Sequence, residues 1–360
     1  MSYKILVLTK YGSLGGSSRY RFYQYLPYLE SQDFDITVAP LLDNQYVTGI
    51  NKASRNLTNK GSRNITNVLM SYFQRLLRLI SARDYDLLWI EKELLPYVPE
   101  WLERILIRNM PYAVDYDDAQ FHMYDYYGSK LTKVLLAHKI DRVMAHAQLV
   151  IAGNKYIAIR ASKAGAQRIE IIPTVIDLER YSIKTDARSG TFNIGWIGSP
   201  GTSVYLRSIQ SVFETLDRQE NCKFTFVGAG SLTLGNLDLT IKDWREQSEV
   251  EDIKSFDVGI MPLDTTPWEE GKCGIKLIQY MACALPVVGT PIGVNQEIIA
   301  HGINGFQANT LPEWTDYLSK LANDPHLCAQ MGAAGRAMVE AKYCLQVTAP
   351  QVAQLLSGCI

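Results

Sequence analysis

The sequence predicts an α/β protein made of two similar halves, each a mostly parallel sheet with helices on both faces and the two sheets facing across a cleft. Three observations predict it. Apolar runs of strand length alternate with longer segments of helical period over residues 5–152, and the rhythm restarts over 192–289 after the polar stretch RYSIKTDARSGTF at 180–192. The chain has 360 residues, whereas single cores stop growing near roughly 250–300. A hydrophobic content of 47% with 20% charged residues is enough apolar side chain for two ordinary cores.

In chain order, the apolar run 5–9 in YKILVLT is a buried strand, and Gly12, Gly15 and Gly16 lead from it into a helix over 18–31. Strands follow at 36–40, 87–91 and 112–116; a helix over 130–147 precedes the strand 149–152, and IIPTVID at 171–177 carries the chain out of the first half. The second half opens with a strand at 192–197 and a helix over 203–218. Strands at 223–227 and 258–261 come next, then a short helix that starts near Gly274 and ends before Pro286, since proline cannot continue a helix and restricts its predecessor. The run 287–289 is a further strand with Gly289 and Pro291 at its exit, and 312–341 and 343–356 read as helices.

A net charge of −1 makes no case for nucleic acid as a partner. The six cysteines form no C-x-x-C pair, so neither a zinc site nor a disulfide framework is expected. No apolar run approaches the roughly 18–20 residues of a membrane span, and the chain opens on a strand pattern, not a leader. A cytoplasmic setting is the expectation. Charge is unevenly spread, however. Residues 44–83 hold no acid but seven bases: Lys52, Arg55, Lys60, Arg63, Arg75, Arg78 and Arg83. Leu69, Phe73, Leu76, Leu77 and Ile80 recur there at helical spacing. Such a basic amphipathic helix over 63–83 either lies on an anionic membrane surface or covers the first sheet with solvated arginines.

The segment EGKCGIKLIQYMACALPVVGTPIGVN, 270–295, carries the densest chemistry. A helix starting at Gly274 offers unpaired N–H groups and the positive end of its dipole to an anion. Lys272 and Lys276 share one face of that mouth, Cys273 and Ile275 lie between them, and Gln279 follows on the same face, placed to meet ribose hydroxyls. Gly15, Gly16 and Arg19 after the first strand, and Gly198, Ser199 and Thr202 after the strand 192–197, can also bring backbone amides or polar groups to a phosphate. FVGAG at 226–230 lacks the third glycine of a dinucleotide fingerprint, which speaks against NAD. Asp115, Asp117 and Asp118 are the densest carboxylate cluster; strand alternation puts Asp115 and Asp117 on one face, and any of the three can serve as a general base, with Asp117 first and His122 behind them. Asp118 also suits a helix cap, and Trp196 and Trp268 suit the cleft walls or plain packing.

Together with GGSSRYRFYQYLPYLE (15–30), VDYDDAQF (114–121), AGNKYIA (152–158), IGWIGSPGT (194–202) and HGINGF (301–306), this segment resembles the GT-B glycosyltransferases of the family-4, group 1 type. The resemblance spans nearly the whole chain. It implies GT-B architecture, with a first Rossmann-like domain at 1–178 that binds the acceptor, a second at 190–342 that binds the donor, and a helix at 343–360 packing back on the first. It also implies a hexosyl-type transfer from a nucleotide-diphosphate sugar, UDP- or GDP-linked, to a hydroxyl of a glycan, a lipid-linked saccharide or a small molecule. No cofactor is implied, and no metal, since the helix start and basic side chains neutralise the diphosphate in this fold. A location in the cytoplasm or on the inner face of a membrane fits lipid-linked acceptors.

Two departures stand out. Where the family pattern has two glutamates, this chain has Gly271 and Gln279, with Glu270 one residue out of register; and an arginine–lysine pair usual near 198–202 is missing. Two other readings stay open: an epimerase or phosphorylase on the same architecture, and a nucleotide-sugar-binding protein without turnover.

Overall fold

The computed structural model describes residues 3–53, 65–108, 110–184, 190–220 and 222–360. Two six-stranded sheets, all of whose pairings are parallel, organise them. The first contains β1 (Tyr3–Leu8), β2 (Phe34–Val38), β3 (Leu87–Glu91), β4 (Tyr112–Tyr116), β5 (Leu149–Ala152) and β6 (Ile169–Ile171) in the order β2-β1-β3-β4-β5-β6. The second contains β7 (Asn193–Ile197), β8 (Lys223–Val227), β9 (Leu239–Lys242), β10 (Val258–Met261), β11 (Val287–Gly289) and β12 (Gly305–Gln307) in the order β12-β11-β10-β7-β8-β9. The strand order therefore reverses between β1 and β3 in one sheet and between β7 and β10 in the other. Ligands of open α/β sheets bind beyond the carboxyl ends of strands at such switch points.

β1, β3, β4 and β5 are buried along nearly their whole length because helices cover both faces, which is why they read as continuous apolar runs. One face of the first sheet packs Ile5, Val7, Trp89 and Ile151 against Phe22, Tyr25 and the C-terminal helix Leu345–Ser357, whose Ala349, Val352 and Leu356 complete that core. The chain thus begins and ends on the same domain and crosses twice between the two. One crossing is held by backbone pairing of Ile176 with Cys344.

Several elements differ from the sequence expectation. The helix expected over 18–31 is three pieces, Gly16–Arg21, Tyr23–Tyr25 and Leu26–Ser31; Pro27 supplies no N–H, so the last piece must restart with it in its first turn. The helix expected over 130–147 is split into Lys130–Leu136 and Lys139–His146, and the second opens with Lys139 turned inward onto Glu93 and Glu103. The first turns of the helix expected from 203 are a 3-10 segment, Ser203–Ile209, and the α-helix proper is Gln210–Glu220. β6, β9 and β12 are short edge or near-edge strands with partly exposed residues, too brief to show a period.

The helix Ile65–Ile80 departs from the reading in which its apolar side covers the first sheet and its arginines are solvated. Arg75 is buried, donating through Nη2 to the carbonyls of Thr9 at 2.6 Å and Ala39 at 3.0 Å, so it ties together the ends of β1 and β2. The solvated side instead shows Leu69, Met70, Phe73, Leu77 and Ile80, with Ile80 72% exposed. Arg78 and Arg83 are exposed. Arg55, Lys60 and Arg63 of the basic stretch lie outside the described residues, as do 185–189 of the polar stretch between the halves.

Candidate functional site

The two switch points open on one cleft of about 530 Å³, lined from both sheets. On the second domain, Gly274 precedes the helix Ile275–Ala282 in the left-handed region at φ 65°, which points the free N–H groups of the first turn outward. A Cβ at Gly274 would sit 2.4 Å from Ile298 Cδ1, so the space as well as the φ selects glycine. Lys276 lies in that first turn with Nζ 5.3 Å from the Trp196 ring centroid. Gly198 leaves room for this pair, since a Cβ there would meet Trp196 at 2.4 Å and Lys276 Cε at 2.9 Å. Desolvation at the cleft floor, reinforced by Lys272, pulls the Lys276 ammonium down to about 7. Lys272 sits between the rings of Tyr205 and Trp268, 5.8 and 5.9 Å from their centroids. Cys273 and Ile275 line the same wall, and burial raises the Cys273 thiol well above its ordinary range, which leaves it unreactive.

The loop 198–202 lines the cleft as a closed turn. The Thr202 hydroxyl donates to Ser199 O and accepts from Ser199 N, each at 3.1 Å, and caps no helix. Ser199 and Gly198 face the cleft from the same turn.

On the first domain, Gly15 and Gly16 open a helix at the end of β1, and a Cβ at Gly15 would meet Tyr11 Cβ at 2.4 Å. Ser18 seals the turn by accepting from Tyr11 N and donating to Glu91 at 2.6 Å. Asp117 and Asp118 reach the cleft from the end of β4. Lys92, itself at φ 63°, pairs with Asp117 at 2.8 Å and with Asp118 at 3.5 Å. Burial raises both carboxyls, but for Asp117 the charge and hydrogen bond of Lys92 outweigh it and the group ends below its usual range. Asp118 ends above its usual range, through burial and repulsion from Asp117. The Asp118 side chain is 29% exposed against 11% for Asp117, so Asp118 is the more available of the two.

Three expected residues do not enter the cleft. Asp115 lies behind it in a bidentate buried ion pair with Arg21, at 2.7 and 3.0 Å, and burial lifts its carboxyl to about 6. The alternation that grouped it with Asp117 ends because β4 stops at Tyr116. Glu270 ends the short helix Pro267–Glu270 and does not line the cleft. His122 is buried with Nδ1 at 2.8 Å from Asp125 and Nε2 at 2.9 Å from the Tyr156 hydroxyl, so both ring nitrogens serve packing of the first domain.

Gln279 lines the cleft, but its amide nitrogen is occupied. Nε2 donates to the hydroxyls of Tyr20 at 2.9 Å and Tyr181 at 3.0 Å. Both tyrosines donate onward to Glu249, whose other oxygen accepts from Trp244 Nε1 at 2.7 Å and Arg19 Nη2 at 3.0 Å. This network crosses from the first domain (Arg19, Tyr20) to the second (Trp244, Glu249, Gln279). Sequence reasoning missed Glu249 because it lies in an ordinary acidic helix start, SEVED, with no spacing to mark it. Asn154 was also missed. Its Oδ1 caps the helix Lys155–Ala164, while its Nδ2 donates across the domains to the carbonyls of Gly271 at 2.8 Å and Lys272 at 3.1 Å. An asparagine before a helical run signals the cap alone.

Residues 192–324 match the family model described as Glycosyl transferases group 1. The whole chain superposes on solved GT-B structures. Sucrose-phosphate synthase from Thermosynechococcus elongatus aligns at 14% identity over 99% of this chain and 98% of its own, with a TM-score of 0.72. HepE of Anabaena, solved in complex with UDP-glucose, aligns at 18% identity over 99% of both chains, with a TM-score of 0.71. A glycosyltransferase from Rickettsia africae aligns at 14% identity over 99% and 98%, with a TM-score of 0.66. No curated protein matches by sequence.

Proposed function

We propose that this GT-B chain, whose second domain carries the group 1 glycosyltransferase signature, transfers a hexosyl group from a UDP-linked sugar to a hydroxyl of a glycan or lipid-linked acceptor. The observation that carries the reading is the Gly274 helix start with Lys276 on its first turn, facing Asp117 and Asp118 across one cleft. The N–H groups of that turn, Lys276 and Lys272 receive the diphosphate and stabilise the charge that grows on it as the sugar leaves. These fixed positive groups stand where a divalent cation would otherwise act, so turnover survives chelation of metals. UDP in the HepE complexes supports uridine as the base.

Asp118 receives the hydrogen bond of the acceptor hydroxyl and is able to take its proton, because its affinity for protons is raised. Lys92, itself fixed by Asp117, holds Asp118 in place. Asn154 fixes the 271–272 loop so that both lysines face the sugar.

Lipid-linked acceptors are supported by the exterior of the first domain. The helices Ile65–Ile80 and Glu100–Ile107 pack side by side and expose Leu69, Phe73, Ile80, Trp101 and Ile105. Arg78, Arg83, Arg104 and Arg108 flank them in the open, while Glu100 and Glu103 are buried. An apolar face with exposed arginines at its margin fits an anionic lipid surface even with Asp84 and Asp86 exposed beside Arg83, and it supports a location on the inner, cytoplasmic face of a membrane.

The test is release of UDP from a panel of UDP-sugars with a lipid-extract or glycan acceptor, followed by identification of the product. Acceptor-dependent release with a new glycoside supports transfer. An altered sugar without an acceptor identifies an epimerase, and binding without any turnover identifies a binding protein.

A further inference from the structure

The donor site on the second domain brings two lysines to the cleft, and the loop 198–202 brings no cation at all. A third positive group comes from the other side. Arg19, on the first-domain helix Gly16–Arg21, lines the cleft although it is only 6% exposed. Its guanidinium carbon lies 4.5 Å from the Tyr20 ring centroid and 4.8 Å from that of Trp244, and Nη2 binds Glu249 Oε2 at 3.0 Å and the Tyr20 hydroxyl at 2.8 Å. Its Nε and Nη1 are buried with no partner. Two desolvated donors on a permanently charged group are costly to leave unpaired. Glu249 cannot satisfy them, since its two oxygens already accept from Tyr20, Tyr181, Trp244 and Arg19 Nη2.

We propose that Arg19 is a phosphate-binding residue supplied across the domain interface: its free Nε and Nη1 donate to the diphosphate of the bound nucleotide, so the donor is gripped by both domains at once. The inference rests on the donor-site reading above and deepens it. An arginine fork presents paired N–H groups that match phosphate oxygens, and the ring sandwich with the Glu249 contact holds it rigid before the ligand arrives. The donor then completes the interface between the domains, which excludes water from the sugar.

The experiment is calorimetric titration of UDP and of uridine into the wild type, Arg19→Met, Arg19→Lys and Glu249→Gln. Arg19→Met is expected to weaken UDP about 10- to 100-fold and leave uridine within about twofold, with Arg19→Lys in between. Glu249→Gln keeps an acceptor oxygen for Arg19 Nη2, so the fork stays held, and removes the charge that competes with phosphate; it is expected to hold or tighten UDP. Unchanged UDP affinity in a folded Arg19→Met would overturn the proposal. So would equal losses for UDP and uridine, which would put the contact on the nucleoside. If Arg19→Met fails to fold, Glu249→Gln still decides: UDP binding weakened by that change would make the pair a structural strut only. A wild type that binds no nucleoside diphosphate would overturn the donor-site reading itself and take this inference with it.

Discussion

Lys276 and Asp118 are cleft residues whose proton affinities the fold moves in opposite directions. In the free protein the Lys276 ammonium is pulled down to about 7 by burial and by Lys272. A diphosphate stabilises the charged form, so binding raises that value. The binding-competent form is fully present below about pH 7 and is depleted as pH rises beyond it. The ratio of UDP affinities of wild type and Lys276→Ala is therefore expected to be constant below about pH 7 and to fall above it, by at most tenfold per pH unit. UDP binding at pH 8 should take up protons, seen as a buffer-dependent heat that Lys276→Ala abolishes; a buffer-independent heat would show Lys276 fully charged already. For Asp118 the sign runs the other way. A base must be ionised, and its proton affinity is raised, so the acid limb of the rate profile should lie above the ordinary carboxylate range. Asp118→Asn should lower turnover about 10²- to 10⁴-fold with UDP affinity kept within a few-fold. Loss of UDP binding instead would make Asp118 part of the donor site. The aspartate cluster was legible in the sequence, but the division of labour within it was not. It depends on where β4 ends and on Arg21 and Lys92, which meet Asp115 and Asp117 only in the folded chain.

At the scale of elements, the helix Ile275–Ala282 and its glycine start were readable because proline, glycine and lysine spacing encode them locally. Gly274→Ala should destabilise by about 1–3 kcal/mol, through the positive φ and the contact with Ile298, and should weaken UDP by moving the helix start. Retained UDP affinity would place the phosphate elsewhere. The helix Ile65–Ile80 shows the opposite case. Its amphipathic period was plain, yet period alone does not say which side faces the sheet. One buried arginine, Arg75, turned the helix so that apolar side chains are left in solvent. Replacing Leu69, Phe73 and Ile80 together with serine is expected to leave the melting temperature nearly unchanged, because these side chains are exposed, and to reduce co-sedimentation with anionic vesicles. Unchanged co-sedimentation would remove the lipid surface from the account.

Across the whole molecule, the two halves and the cleft followed from strand rhythm and length, because each sheet is specified by its own local pattern. The contacts that join the halves were not legible. Tyr20 lies more than two hundred positions before Glu249 and Gln279 and shares no spacing with them. Where the group 1 pattern has two glutamates this chain has Gly271 and Gln279, and the second of these braces Tyr20 and Tyr181. Asn154 makes the same point between domains. Asn154→Asp keeps the cap oxygen but loses the donor to Gly271 and Lys272, so it should weaken UDP with little change in melting temperature; Asn154→Ala should do both, with about 1 kcal/mol of stability lost with the cap. Equal UDP affinity in Asn154→Asp would mean that the loop holds its shape without this bridge.

The proposed transfer requires a nucleoside diphosphate on the Gly274 helix start beside Lys276. Calorimetric titration of UDP, GDP, ADP and NAD into the wild type and Lys276→Ala tests it most directly. UDP should bind in preference to the others, and a folded Lys276→Ala should lose most of that affinity. Preference for NAD, binding of none of the four, or equal UDP affinity in the variant would contradict it.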